Sequence, residues 1–257
     1  MKKIIIYISI MVSNCASLGA QNRELTATAN LSKGGDSIHY DFITATVPQS
    51  SSFSEQLWDF SNSRYLGQEK EVFFVGNNSN RIKMIDKDAI LDFSQDKEHL
   101  LLKRLQTPLL NIDFGNSFEY LKFPFSLNDS LTCQIEGKGT YCSKNKLVLS
   151  GTCCTKAMAK GNLIMPCNDS LNNTLLIQRS IVANINVSKD SLMSVRQDEP
   201  MKFKAAIFEW YAMGYRYPIL KVIEASIKKG ERKVLEHSFA YAANVDGMSH
   251  LEDEQNK

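Results

Sequence analysis

The residues best suited to hold a ligand lie together in the aromatic stretch 209–218. Trp210, Tyr211, Tyr215, Arg216 and Tyr217 belong to it. Aromatic rings on an exposed sheet face can stack against sugar rings, and an arginine can donate hydrogen bonds or lie over a ring. The same rings could instead fill a core, because aromatic residues are common in strands. The stretch therefore predicts a hairpin that either binds a ligand or packs inside, and the exposure of Trp210 and Tyr215 separates the two.

The cysteines that follow residue 20 are spaced so that hairpins could pair them. A two-residue turn at 137–138 would place Cys133 opposite Cys142, with the Cα atoms ~4.5 Å apart, which suits a disulfide. A turn at 160–161 would place Cys154 opposite Cys167 in the same way. Free buried thiols are the alternative. No Cys-x-x-Cys pair with a nearby histidine indicates a metal site.

No other pattern indicates catalysis. The histidines lack an i, i+4 partner, no serine lies in Gly-x-Ser-x-Gly, and no glycine-rich phosphate loop is present. We therefore predict neither a cofactor nor a metal, and we favour a protein that is not an enzyme. A hydrolase acting on polysaccharide is the alternative, because its paired carboxylates would come from distant strands that one sequence does not reveal.

The N-terminus has the pattern of an export signal. Lys2 and Lys3 precede the apolar run 4–12, which is too short to span a bilayer, and small residues follow it. We predict a signal peptide over 1–20, removed after Ala20. The alternative is a relaxed lipobox that would leave Cys15 acylated as a lipid anchor. No later segment is long and apolar enough to be a membrane helix.

Charge argues against a nucleic-acid partner. The chain has 30 Lys+Arg and 28 Asp+Glu, so removing Lys2 and Lys3 with the signal leaves equal numbers of each sign. Proteins that bind nucleic acid usually carry a basic footprint.

Short stretches of alternating polar and apolar residues dominate after residue 25, separated by Gly, Asn, Asp, Ser and Pro. Among them are 37–47, 81–85, 99–105, 174–185, 201–211 and 232–242. This spacing predicts an all-β fold, an antiparallel β-sandwich or jelly roll. Residues 21–257 would form one domain or two sub-sandwiches that part near residue 115. An outer-membrane barrel needs a continuous outward apolar band, which Lys202, Lys204, Lys221 and Glu224 interrupt.

A family pattern is visible in a series of short motifs. In order they are WDFS at 58–61, FP at 123–124, GKGTY at 137–141, GNLIMP at 161–166 and WYAMGYRYP at 210–218. Together they resemble a group of exported β-rich proteins of unknown function that are common in Bacteroidota. The resemblance implies a place in the cell envelope or at the surface, and it implies no activity.

Four serines follow an aspartate and precede an apolar residue: Ser37, Ser130, Ser170 and Ser191. The pattern resembles the O-glycosylation acceptor of those bacteria. It is equally the chemistry of a turn that leads into a strand.

The sequence thus predicts an exported protein of the periplasm, outer membrane or cell surface. Its expected role is to bind a glycan or an envelope protein, and its alternatives are the hydrolase above or a purely structural envelope component.

Overall fold

The computed structural model describes residues 24–45, 56–78, 80–188 and 200–245. The predicted signal peptide, Cys15 and Ser191 lie outside these residues. The described chain is almost entirely extended. Its elements are β1 (Glu24–Leu25), α1 (Ala27–Asn30), β2 (Ser37–Ile43), β3 (Gln56–Asp59), β4 (Tyr65–Asn78), β5 (Arg81–Ile85), β6 (Ile90–Gln95), β7 (His99–Gln106), β8 (Leu110–Lys122), β9 (Phe125–Ser126), β10 (Ser130–Tyr141), β11 (Asn145–Ile164), β12 (Ser170–Ser188), β13 (Met201–Tyr211), β14 (Leu220–Lys229) and β15 (Arg232–Ala243).

Twelve of the strands form one closed antiparallel β-barrel. Around the barrel the order is β10, β8, β7, β6, β5, β4, β2, β15, β14, β13, β12 and β11, and β11 pairs again with β10. The expectation of an all-β chain is confirmed. The predicted sandwich or jelly roll is wrong, because the large sheet closes on itself instead of packing against a second large sheet. A separate two-stranded sheet of β1 and β9 accompanies it.

The alternation of residues cannot separate these two architectures, since each strand has one buried face in both. Closure depends on curvature instead. The pairing of β11 with β12 shifts register between Ala157 and Ala159 and again between Gly161 and Leu163. Such bulges bend a strand and increase its twist, so the two longest strands can curve around the barrel.

Two apolar clusters support this barrel. One includes Tyr40, Phe74 and Trp210, and the other includes Phe93 and Ile135. The short strand β3 runs parallel to the end of β11. Its Trp58 side chain is buried and packs against Trp210 of β13, with the ring centroids 6.2 Å apart.

The outer face of strands β5, β6, β7, β8 and β10 carries a row of alternating charges. Lys83, Asp92, Arg104, Asp113 and Lys138 lie opposite one another on five successive strands. Lys83 lies 3.8 Å from Asp92, and Arg104 lies 3.3 Å from Asp113. Opposite charges directly across from each other favour this register, although each exposed pair contributes only ~0.2–1 kcal/mol.

Across the described parts of the chain, no helix has the length and apolar character that a membrane crossing requires.

Candidate functional site

The barrel encloses a cavity of about 290 Å³ between its two apolar clusters. We call this cavity the lumen. Five tyrosines face it, together with apolar side chains of β2, β4, β6 and β14 and a few charged groups. The tyrosines are Tyr40, Tyr120, Tyr211, Tyr217 and Tyr241. Pockets of this kind, mostly apolar with a few fixed polar groups, are typical small-molecule sites.

The N-terminal segment closes one end of the lumen. Thr26 caps α1 by accepting a hydrogen bond from Ala29 N at 3.3 Å. Arg216 Nη1 then donates to the carbonyl oxygens of Thr28, Ala29 and Leu31, at 3.0–3.3 Å. Asn30 in turn donates to the carbonyl of Arg216 at 3.0 Å. These bonds hold a short helix, which could not persist alone, across the barrel end.

Tyr217 ties the same end to the barrel wall. Its ring stacks on Phe74 with the centroids 4.3 Å apart. Its hydroxyl donates to Asp36 Oδ2 at 2.8 Å and accepts from Lys33 N at 3.2 Å. Tyr40 also donates, to the carbonyl of Pro218 at 2.8 Å. The loop 212–219 is therefore bonded both to the N-terminal segment that carries α1 and to the lumen wall.

The deepest charges lie on β12, β13 and β14. Arg179 and Glu209 are almost fully buried, at 0% and 2% exposure, and their side chains are 3.0 Å apart. Lys221 lies 3.2 Å from the other oxygen of Glu209. Burial by itself would raise the pKa of Glu209, but Lys221 and Arg179 outweigh it and hold that pKa below its ordinary value. Glu209 is therefore ionised between two cations.

Arg179 also lies flat against an aromatic ring. Its guanidinium carbon is 3.5 Å from the centre of the Tyr120 ring, and Nη2 donates to the Tyr120 carbonyl at 3.3 Å. Its Nε has no hydrogen-bond partner in the described structure. A buried donor without a partner is costly.

A second ion pair also lines the lumen. Lys70 Nζ is 2.7 Å from Asp86 Oδ2 and 5.1 Å from the centre of the Tyr241 ring. Asp86 is held by the turn between β5 and β6, where it accepts from Asp88 N and Ala89 N at 2.7 Å. The Lys70 and Lys221 side chains are 23% and 20% exposed. Both lysines are therefore partly accessible to water.

The lumen tyrosines are neutral hydrogen-bonding groups. Burial raises the pKa of Tyr40, Tyr211 and Tyr217 above the ordinary tyrosine value. Tyr40 and Tyr217 already donate their hydroxyl protons to the Pro218 carbonyl and to Asp36, so towards a ligand their oxygens act as uncharged acceptors. The arrangement combines aromatic walls, neutral hydroxyl groups and a small excess of positive charge.

The structure separates the five aromatic-stretch residues that the sequence singled out. Trp210 is completely buried on the side of β13 that faces away from the lumen, where its ring centroid lies 6.2 Å from that of Trp58 and 5.4 Å from that of Phe60. Tyr215 is half-buried against the same cluster. Tyr211, Arg216 and Tyr217 face the lumen. The stretch therefore provides lumen wall and core, and Trp210 is not available to stack on a ligand from solution.

The predicted disulfides are absent, and all five described cysteines are free thiols. Cys133–Cys142 was expected from a turn at 137–138, but these residues lie inside β10 and the chain turns after Tyr141. The register places Cys133 opposite Cys153 instead. Cys154–Cys167 fails for the same reason, because 160–161 lies inside β11 and Cys154 is opposite Ser180 on β12.

Three of the four serines suggested for glycosylation can be placed. Ser37, Ser130 and Ser170 are each the first residue of a strand, and each is exposed. Their positions suit both modification and turn-to-strand chemistry, so glycosylation stays a prediction.

Reasoning from the sequence did not find Lys70, Arg179, Glu209 or Lys221 as site residues. The available signal was weak: each is a charged residue at an alternating position that would otherwise be apolar, as Glu209 is between Ile207 and Tyr211. Only the pairing of β12, β13 and β14 brings three of them together.

No protein-family model, curated protein or solved structure matches this chain.

Proposed function

We propose that this protein binds a small molecule in the lumen, and that the ligand has an apolar, ring-containing body and one anionic group. The observation that carries the proposal is an aromatic cavity of about 290 Å³ lined by Glu209 and Lys221, with Arg179 behind them. A cavity of that size suits a compact ligand and excludes an extended polymer.

The apolar part of the ligand is assigned from the wall. Ile38, Val72 and Phe93 face the lumen among the tyrosines, and all three are buried. Aromatic rings offer ligand rings edge-to-face and offset-stacked contacts. Transfer of apolar ligand surface from water into such a space contributes ~25 cal/mol per Å².

The anionic part is assigned from the charge balance. Among the described residues, the ion pairs around the lumen involve four cations and three carboxylates: Lys70, Arg179, Arg216 and Lys221 against Asp36, Asp86 and Glu209. The excess positive charge lies around Glu209, because this single carboxylate pairs with both Arg179 and Lys221. An uncompensated charge in a low-dielectric site is costly, so one anionic ligand group near Lys221 would be stabilised there.

The proposed role is that of an exported binding protein. Export is supported by the basic start, the short apolar run and the small residues that follow within residues 1–20. We propose a ligand inside the lumen instead of a glycan on an exposed aromatic face, because Trp210 is buried.

A matched pair of fluorescent probes tests the proposal. Anilinonaphthalene sulfonate is anionic, and phenylnaphthylamine has the same rings without the sulfonate. Both should bind the mature protein with enhanced fluorescence, and the anionic probe should bind more tightly. Lys221→Met should weaken the anionic probe roughly tenfold and leave the neutral probe unchanged, because a charge-assisted contact contributes ~1.5–3 kcal/mol.

A second pair of variants locates the binding site. Ile223 faces the lumen and Glu224, its neighbour in sequence, faces outward and is exposed. Ile223→Trp should abolish binding of both probes by filling the lumen, whereas Glu224→Trp should not. Equal binding by the two variants, each shown to be folded by circular dichroism, would place the probes elsewhere and refute the proposal.

A further inference from the structure

We propose that Cys133 and Cys153 form a redox-active thiol pair in the barrel wall, which a small-molecule disulfide converts into a cross-strand disulfide. The proposal is independent of the lumen ligand. It concerns a site of modification that the sequence pattern did not indicate, since the sequence paired Cys133 with Cys142.

The register of β10 and β11 provides the geometry. Cys133 lies directly opposite Cys153 in an antiparallel pair. Directly opposed residues have Cα atoms ~4.5–5.5 Å apart, which falls within the range that a disulfide bridges. Both side chains pack with the inner cluster that contains Ile135 and Leu147. They therefore leave the strands on the same face, as a bridge requires.

The two thiols already interact. The neighbouring Cys153 thiol lowers the pKa of Cys133 to about 7, and Cys133 together with burial raises the pKa of Cys153. Cys133 Sγ also lies 3.5 Å from the carbonyl oxygen of Glu119. Cys153 is buried, and Cys133 is half-buried. Cys133 is therefore the thiol that is both more acidic and more accessible, which are the properties of an attacking thiol.

The reaction with oxidised glutathione proceeds in two steps. The Cys133 thiolate attacks one glutathione sulfur, so that a mixed disulfide forms and one glutathione thiolate leaves and takes up a proton. Cys153 then loses its proton and attacks the Cys133 sulfur, and the second glutathione leaves. Two protein thiols are oxidised, and one glutathione disulfide is reduced to two thiols.

The other cysteines are placed differently. Cys154 follows Cys153 on β11 and therefore points to the opposite face of the sheet. Its partners in register are Thr132 and Ser180. Cys142 and Cys167 are exposed. These three thiols provide internal controls on the same molecule.

The test is oxidation of the folded mature protein in a glutathione buffer, followed by alkylation of the remaining thiols under denaturing conditions and peptide mapping. We expect a peptide cross-linked through Cys133 and Cys153 that dithiothreitol releases. Cys153→Ser should stop at a glutathione adduct on Cys133, because the second step is lost. Cys154→Ser should form the cross-link as the wild type does.

The exposed thiols show that the oxidant is active. If Cys142 and Cys167 carry glutathione while Cys133 and Cys153 are both alkylated, the proposal is overturned. A cross-link between Cys133 and Cys154 would overturn it equally, because it would place the wrong β11 thiol on the inner face. The wild-type map alone decides the matter if a serine variant does not fold.

Discussion

Three ionised side chains meet in the barrel wall, where an unpaired charge would be costly. Glu209 accepts from Arg179 at 3.0 Å and pairs with Lys221 at 3.2 Å. Tyr120 covers the guanidinium on one side. The cluster is stable because each charge has a partner of opposite sign and because Arg179 gains an aromatic face. Removing the shared carboxylate should therefore cost more than removing any exposed charge.

Glu209→Gln tests this directly. The variant leaves Arg179 and Lys221 beside a neutral amide, so the free energy of unfolding at neutral pH should fall by about 3–5 kcal/mol. Urea unfolding measures the change. Glu224→Gln, an exposed carboxylate on the neighbouring strand, should change it by less than about 0.5 kcal/mol. Similar losses of unfolding free energy in both variants would mean that the buried carboxylate contributes no more to stability than an exposed one.

The same carboxylate predicts a pH dependence. The folded pKa of Glu209 lies below its ordinary value of 4.5, because Lys221 and Arg179 overcome the opposing effect of burial. The folded carboxyl binds its proton more weakly than the unfolded one. Its stabilisation is therefore present above about pH 4.5 and is lost as the pH falls through the folded pKa. The difference between wild type and Glu209→Gln should narrow in that acid range, and a constant difference would contradict this account.

At the scale of the strands, two glycines allow β10 to approach β8. Gly139 lies opposite Ile112, and a methyl group added there would collide with the backbone carbonyl of Asn111. A methyl group added at Gly137 would meet the Ile112 side chain, 2.6 Å from Cγ2. Backbone cannot move aside without separating the strands, whereas a side chain can turn. A side chain at position 139 would therefore force the two strands apart, whereas one at position 137 would only displace the Ile112 side chain.

Gly139→Ala and Gly137→Ala are therefore a matched pair. Gly139→Ala should lower the free energy of unfolding by about 3 kcal/mol, and Gly137→Ala by about 1 kcal/mol. Thermal and urea unfolding of both variants give the comparison. Equal losses would show that the close contact of β8 and β10 does not limit barrel closure.

At the scale of the whole molecule, the two halves of the chain close one sheet together. β2 pairs with β15, and β8 pairs with β10. The region near residue 115, where two sub-sandwiches could have parted, lies inside β8. β3 from the first half also pairs with β11 of the second. Neither half can complete its hydrogen bonding without the other.

This arrangement predicts cooperative unfolding of the protein. Far-ultraviolet circular dichroism, which follows the strands, and Trp fluorescence, which follows Trp58 and Trp210, should report one coincident transition in urea. The two indole rings belong to different halves and contact each other. A second transition, or separated midpoints, would mean that the halves are stable independently.

Much of the strand content could be predicted from the sequence. The alternating runs 81–85 and 201–211 coincide with β5 and β13, and 37–47, 99–105 and 232–242 overlap β2, β7 and β15. Alternation is a local signal, because it depends only on which side of a strand is buried. The turns were harder to predict. Gly137 and Gly161 suggested hairpins, yet both lie inside long strands. The Ile112 side chain lies close to Gly137, and the backbone of Gln56 passes close to Gly161.

The sequence by itself determined the β-rich fold class, because the alternation of buried and exposed residues can be recognised in each strand separately. The tertiary structure alone decided that the sheet closes, that Cys133 faces Cys153 and that Arg179, Glu209 and Lys221 meet. These features depend on which strands pair and in which register, and a shift of one residue would turn each of these side chains to the other face. Bulges and distant pairings set that register, and neither leaves a local mark in the sequence.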